Sequence, residues 1–207
     1  MLVVGLTGGI GMGKTSAAAH FVRRGVKVFD ADAYVHQLYE GEAVPAIEAA
    51  FPGVTRDGRV DRALLAAKVA NNPERLRQLE AIVHPLVVEA EIDFLREREE
   101  EGERIAVLEI PLLFETGAEA RTDVTVALSA PEAMQRARVF ERPGMTAEKF
   151  EGLRARQLTD AERRARADFV VDSGGTLENL QEQLDHLIES LQTRDGAVME
   201  RLRHQYL

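Results

Sequence analysis

Residues 1–21 read MLVVGLTGGIGMGKTSAAAHF. An apolar run, Leu2 to Leu6, leads into four glycines between Gly8 and Gly13, with Lys14 and Thr15 following at once. Glycine inside a packed element costs about 0.5–1 kcal/mol relative to alanine, so the cluster predicts a backbone that something must approach closely. Leu2 to Leu6 predicts a short strand. Thr15 to Arg24 predicts a helix with Ala17, Ala18, Phe21 and Val22 on one side, stopped by Gly25. Val26 to Phe29 predicts a second strand, which completes a strand–loop–helix–strand unit.

Gly8 to Thr15 fits the pattern G-x-x-x-x-G-K-[ST]. Loop N–H groups in such a turn face inward and cradle phosphate oxygens. The helix behind adds its free N–H groups and the positive end of its dipole. Lys14 supplies a mobile positive charge, and the Thr15 hydroxyl is the expected ligand of Mg²⁺ bridging two phosphates. A nucleoside triphosphate site is therefore expected, but the loop alone does not choose the reaction. No N-K-x-D element for guanine is present, and Asp172-Ser173-Gly174-Gly175, a formal D-x-x-G, follows the last strand, where a switch loop is not expected.

Downstream, Ala33 to Gly102 reads as helical pieces punctuated by Pro45, Pro52-Gly53, Asp57-Gly58, Pro73 and Pro85, with Pro85 at the first turn of a helix running to about Arg98. Strands are expected at Arg104–Ile110, Asp123–Leu128 and Asp168–Asp172, and helices at Pro131–Arg142, Thr146–Arg166 and Leu177–Gln192. Short apolar strands alternating with helices predict an α/β fold, a five-stranded parallel sheet covered on both faces.

Composition narrows the partners. The 207 residues carry a net charge of −9, which disfavours nucleic-acid and membrane-surface binding. With no cysteine, disulfides and thiol chemistry are excluded. Neither a signal-peptide pattern nor a membrane-length apolar run is seen, so a cytoplasmic protein is expected. Against that acidity, Arg136 to Arg166 carries nine basic and five acidic residues. Arg138 and Arg142, four apart on the expected helix, suit a lid closing over phosphates. Asp30-Ala31-Asp32 stands at the exit of the second strand, where ligands bind in open α/β sheets. From there Asp32 is placed to take a proton from an acceptor hydroxyl or to hold Mg²⁺ through water, or both aspartates only cap the next helix. Glu109 ends an apolar strand, as a metal-side acid does in many P-loop proteins.

LTGGIGMGKT, DAD at 30–32, HP at 84–85, PLLFE at 111–115, the arginine-bearing lid with Gln157, and AD at 167–168 together resemble the dephospho-coenzyme A kinase family, from Leu2 to Asp172. The resemblance implies a P-loop kinase core (1–32, 103–130 and 167–207), a helical acceptor subdomain (33–102) and a lid (131–166). It implies phosphate transfer from ATP to the ribose 3′-hydroxyl of dephospho-CoA, with no obligate protein partner. The implied phosphate-loop residues are Gly9, Ile10, Gly11, Met12, Gly13, Lys14, Thr15 and Ser16, with Asp32 as general base and Arg138 and Arg142 as lid cations. His84 and Pro85 would face the acceptor, Leu112, Leu113 and Phe114 would wall its pocket, and Glu115 would order it. Three positions depart from the family pattern: Met12 for a serine, Ser173 for an asparagine near the adenine, and Leu153 for an arginine, with Arg154 and Arg156 nearby. Rival readings are a kinase of the same fold with another acceptor, and a nucleotide-dependent switch without phosphate transfer.

Overall fold

A computed structural model describes residues 1–70 and 72–206. Asn71 and Leu207, which the expected segments 33–102 and 167–207 include, lie outside the described residues. The chain forms two compact units, one of residues 1–29 and 94–207, the other of residues 30–93.

The first unit is built on β1 (Leu2–Gly8), β2 (Lys27–Asp30), β5 (Ile105–Glu109), β6 (Val124–Ser129) and β7 (Phe169–Asp172). They form one sheet in the order β2-β5-β1-β6-β7, the expected α/β architecture. β1 is central, paired in parallel with β5 on one side (Val4 opposite Val107) and β6 on the other (Leu6 opposite Val126). Every residue of β1, β5 and β6 is buried. That burial explains their near-continuous apolar runs, since both faces of the sheet are covered. The chain steps from β1 to one side of the sheet and later crosses to the other. The crevice at the carboxyl end of β1 is thus the topological switch point, where α/β sheets bind ligands.

α1 (Lys14–Arg23) packs against α9 (Leu177–Leu191), whose Leu180, Leu184, Leu187, Ile188 and Leu191 supply one face of the core. Gly25 ends α1 with φ 84°, its N–H donating to Val22 O while Val26 N–H donates to Phe21 O. These two bonds form the left-handed glycine stop that the sequence predicts. Buried His20 ties the two helices: its Nε2 lies 2.6 Å from Asp185 Oδ1, and Arg23 Nη2 lies 3.1 Å from its Nδ1.

The second unit holds α2 (Ala31–Leu38), α3 (Val44–Ala50), a hairpin of β3 (Thr55–Arg56) and β4 (Arg59–Val60), and α4 (Arg62–Val69). α5 (Pro73–Glu100) begins there. The hairpin was not expected from the sequence. Asp57 and Gly58 both take positive φ, 49° and 77°, the two-residue turn that an Asp-Gly pair favours. The helix expected to start at Pro85 instead starts at Pro73, where Asn72 Oδ1 accepts the Arg75 N–H and caps it. Pro85 lies inside the helix, where it cannot donate to Ala81 O.

The remaining elements are a 3₁₀ turn (Ala118–Arg121), α6 (Glu132–Phe140), α7 (Ala147–Arg154), α8 (Asp160–Arg166) and α10 (Val198–Tyr206). The single helix expected over Thr146–Arg166 is two, because Thr159 and Glu162 form a reciprocal capping box that starts a new helix.

Replacing the mid-helix proline tests its cost. Pro85→Ala restores a helical N–H, and we expect a gain of about 1–2 kcal/mol in urea unfolding, the helix-interior penalty less the unfolded-state entropy that proline removes. Unchanged or lower stability would mean that the packing around Pro85 requires the proline.

Candidate active site

The glycine loop leaves the carboxyl end of β1 as a tight turn. Met12 N–H donates to Gly9 O at 3.1 Å, and Gly11 sits at φ 76°. Gly13, at φ 84°, precedes the first turn of α1. At Gly11 a side chain is excluded by contact as well as by conformation. A Cβ on Gly11 would stand 2.6 Å from Val139 Cγ2 and 3.0 Å from Gln135 O, and one on Gly9 would meet Gln135, Gln157 and Arg163 at 3.3–3.5 Å. Lys14 Nζ donates to Gly8 O at 2.9 Å, folding the ammonium over the loop. Thr15 and Ser16 are exposed at the start of α1, among the N–H groups that have no intrahelical acceptor.

Four side chains distant in sequence fix this turn. Gln157 Oε1 accepts the Ile10 N–H at 3.0 Å, and Gln135 Nε2 donates to Ile10 O at 2.9 Å. Ser173 Oγ lies within hydrogen-bonding distance of Met12 O (2.8 Å) and Ser129 O (3.1 Å). Arg138 Nη2 donates to Ser173 O at 2.7 Å. The serine at the family's asparagine position is thus a loop support, buried at 3% exposure. Buried Met12 contributes its backbone carbonyl to this arrangement, and its side chain joins the core.

Arg163 is the largest fully buried side chain, at 2% exposure. Its Nη2 donates to Leu158 O at 2.8 Å. Burial pulls its guanidinium below the usual value, and the Glu115 and Asp160 carboxylates push it back up. As a guanidinium it stays cationic at neutral pH whatever the balance. Glu115 Oε1 accepts the Leu158 N–H at 2.7 Å. A cavity of about 690 Å³ lies beside Gly9 and Met12, lined by Gln135, Gln157, Asp160 and Arg163 among others.

The PLLFE stretch is mostly interior. Leu113 is fully buried, its Cδ2 3.0 Å from where a Cβ on Gly5 would sit, so it has no surface to offer a substrate in this conformation. Phe114 is 5% exposed, with Arg166 over its ring, and only Leu112 of the three is half-exposed. Arg142 does not share a helix face with Arg138. α6 ends at Phe140, and Arg142 is exposed in the turn before Pro143, because a residue before proline is pushed out of helical conformation. Arg154 is paired with Glu132 at 2.6 Å, and Arg156 is exposed. Glu109 is buried at the end of β5. In the second unit, Asp30 Oδ1 caps α2 through the Ala33 N–H, while Asp32 is exposed in that helix's first turn. His84 and Pro85 are exposed on α5. No group of three or more His, Cys, Asp or Glu that could hold a metal occurs among the described residues.

Sequence reasoning missed Gln135, Arg163 and the support role of Ser173. Gln135 and Ser173 bond to Ile10 and Met12, far away along the chain, and no local pattern marks the burial of Arg163, whose acceptor is nearby Leu158.

A glycine loop of this build, at the carboxyl end of the central parallel strand and opening a helix, defines a P-loop nucleotide-binding protein. A family model described as dephospho-CoA kinase matches residues 2–179, and the chain belongs to that family. A dephospho-CoA kinase of Brucella melitensis is 51% identical over 197 residues, 95% of this chain and 98% of the relative. One of Agrobacterium fabrum is 52% identical over 92% of this chain and 98% of its own. A solved structure from Thermus thermophilus superposes with a TM-score of 0.80 at 35% identity, covering 92% of this chain and 97% of that one.

Gly11→Ala tests the close packing of the loop. It sets a side chain at positive φ against Val139 and the Gln135 carbonyl, and we expect a loss of about 1–3 kcal/mol in unfolding free energy together with weaker ATP binding. Wild-type values for both would show that the turn can relax.

Proposed function

We propose that the protein transfers the γ-phosphate of ATP to the ribose 3′-hydroxyl of dephospho-CoA, giving CoA and ADP, the last step of CoA synthesis. The observation that carries this is a fully built phosphate loop in a chain 51% identical, over 95% of its length, to a relative named dephospho-CoA kinase. Residues 131–166 act as the lid, residues 33–102 as the acceptor subdomain, and residues 1–32, 103–130 and 167–207 as the nucleotide core. A consumer of ATP belongs in the compartment that holds it, the cytoplasm.

The N–H groups of Gly11 and of Gly13 to Ser16, at the N-terminus of α1, hold the triphosphate, while those of Ile10 and Met12 fix the turn. Lys14 moves from the Gly8 carbonyl to the β- and γ-oxygens. Asp32, exposed two residues past the end of β2, takes the proton as the 3′-oxygen bonds to the γ-phosphorus and the bond to the β–γ bridging oxygen breaks. Arg138 and Arg142 stabilise the charge on the transferring group. His84, Pro85 and Leu112 face the acceptor, with Leu113 and Phe114 behind as support.

Thr15 would contribute to Mg²⁺ binding. Lack of an acidic cage among the described residues suits this ion, which keeps several waters and leans on substrate phosphates. When bound, it neutralises phosphate charge during transfer.

The test is ADP release by purified protein with Mg-ATP, with and without dephospho-CoA, the product checked by mass. ADP formation that depends on dephospho-CoA, with one phosphate added to it, is expected. Release without acceptor would favour a nucleotide switch. Asp32→Asn is expected to lower turnover by about 10²–10⁴ while leaving ATP affinity nearly unchanged; near-normal turnover would remove Asp32 from the role of base.

A further inference from the structure

The phosphate loop and the PLLFE segment are joined by a short path through one peptide. Leu158 stands between α7 and α8 with both of its backbone groups held: Glu115 Oε1 accepts its N–H at 2.7 Å, and buried Arg163 donates to its carbonyl at 2.8 Å. That fixes the preceding residue, Gln157, whose Oε1 accepts the Ile10 N–H at 3.0 Å. Gln135 closes the other side by donating to Ile10 O at 2.9 Å. Ile10 is the first inner residue of the Gly9–Met12 turn, so its peptide orientation sets where the following N–H groups of the cradle point.

The charges beneath the path are committed to it. Glu115 and Asp160 are the carboxylates that face Arg163. The second Glu115 oxygen is buried, with no hydrogen-bond partner among the described residues, and its charge acts on Arg163. Asp160 Oδ2 accepts from Ser129 Oγ at 2.7 Å, anchoring the start of α8 to the end of β6.

We propose that Gln157 is a positioning residue for the nucleotide, an amide prop that sets the phosphate loop and is itself held by Glu115 and Arg163 through the Leu158 peptide. Glu115 thereby acts on ATP binding through Gln157. This rests on the reading of the loop as the ATP site and is independent of the acceptor.

The glutamines have opposite roles, which makes the test selective. Gln157 is needed as an acceptor, a role that glutamate can fill. Gln135 is needed as a donor, a role that glutamate cannot fill. Dissociation constants for Mg-ATP are measured on the full chain without acceptor, by displacement of a fluorescent ATP analogue. Gln157→Leu is expected to weaken ATP about tenfold, the effect of orphaning one enclosed N–H; a rise under threefold overturns the proposal. Gln157→Glu is expected to bind ATP at least threefold more tightly than Gln135→Glu. A smaller difference, or the reverse order, would mean that added charge near the phosphates governs both variants, which also overturns it. Because both variants are nearly isosteric with the wild-type residue, the comparison stands even if Gln157→Leu folds poorly. Glu115→Ala combined with Gln157→Leu should be no weaker than the weaker single variant, since both cut one path; multiplied effects would refute the shared path. kcat at saturating ATP should fall less than KM for ATP rises, a split that general destabilisation would not produce. With no acceptor in the binding assay, a wrong acceptor assignment leaves these results readable. Failure of the nucleotide reading itself would show as no ATP binding by the wild type.

Discussion

Everything at the site depends on one constraint: the backbone from Gly8 to Gly13 must stay bare and yet keep one shape. Glycine satisfies the first demand and works against the second, because a chain without Cβ atoms has the most conformational freedom to lose. Local sequence cannot supply the missing rigidity. It comes from outside, through Gln157, Gln135 and Ser173, each bonded to loop peptide groups. Three different regions of the chain, the turn after α7, the body of α6 and the exit of β7, converge on Ile10 and Met12. The parallel sheet makes this convergence possible, because β1, β6 and β7 end on the same edge.

This division explains what was legible in advance. The loop, the strand before it and the helix after it could be read because their signals are local: apolar runs, a glycine spacing, and a left-handed stop at Gly25. The hairpin at Thr55–Val60 escaped because two-residue strands leave almost no alternation to detect, although Asp57-Gly58 marked the turn. Pro85 misled because proline at a helix start is the common case; here Asn72-Pro73 holds that position, and Pro85 is carried inside α5. The break at 155–159 was hidden by the helix-favouring composition around it, though Thr159 and Glu162 carried the capping-box spacing.

The site residues divide along the same line. Glycines and Lys14 could be assigned from spacing and phosphate chemistry. Leu113 and Glu115 belong to the family pattern, yet the geometry gives them supporting work: Leu113 fills the core against Gly5, and Glu115 holds a peptide 43 residues away. A pattern marks positions under constraint without saying whether the constraint is contact with a substrate or support for what makes contact. Arg163 is the sharpest case. In sequence it is one of eight arginines between Arg136 and Arg166 and reads as one more cation of the lid; in the fold it is buried at 2% exposure beside the phosphate loop.

The C-terminal helix shows that the same logic reaches beyond the site. The family model ends at residue 179, and nothing in the tail's sequence marks a docking element. Asp123, at the entrance to β6, makes the connection: Oδ2 accepts the Val3 N–H, while Oδ1 accepts the N–H groups of Ala197 and Val198 at the start of α10. A carboxylate from elsewhere in the chain thus fills the place of an N-cap and favours the positive end of the helix dipole. Gly196 is required beside it, since a Cβ there would strike the Met1 carbonyl and Leu2 Cα. The amino end of β1 is secured by the tail, and its carboxyl end carries the loop held by the glutamines. The central strand is therefore pinned at both ends by residues far from it in sequence, which is what a glycine-rich loop at its tip needs in order to hold one conformation.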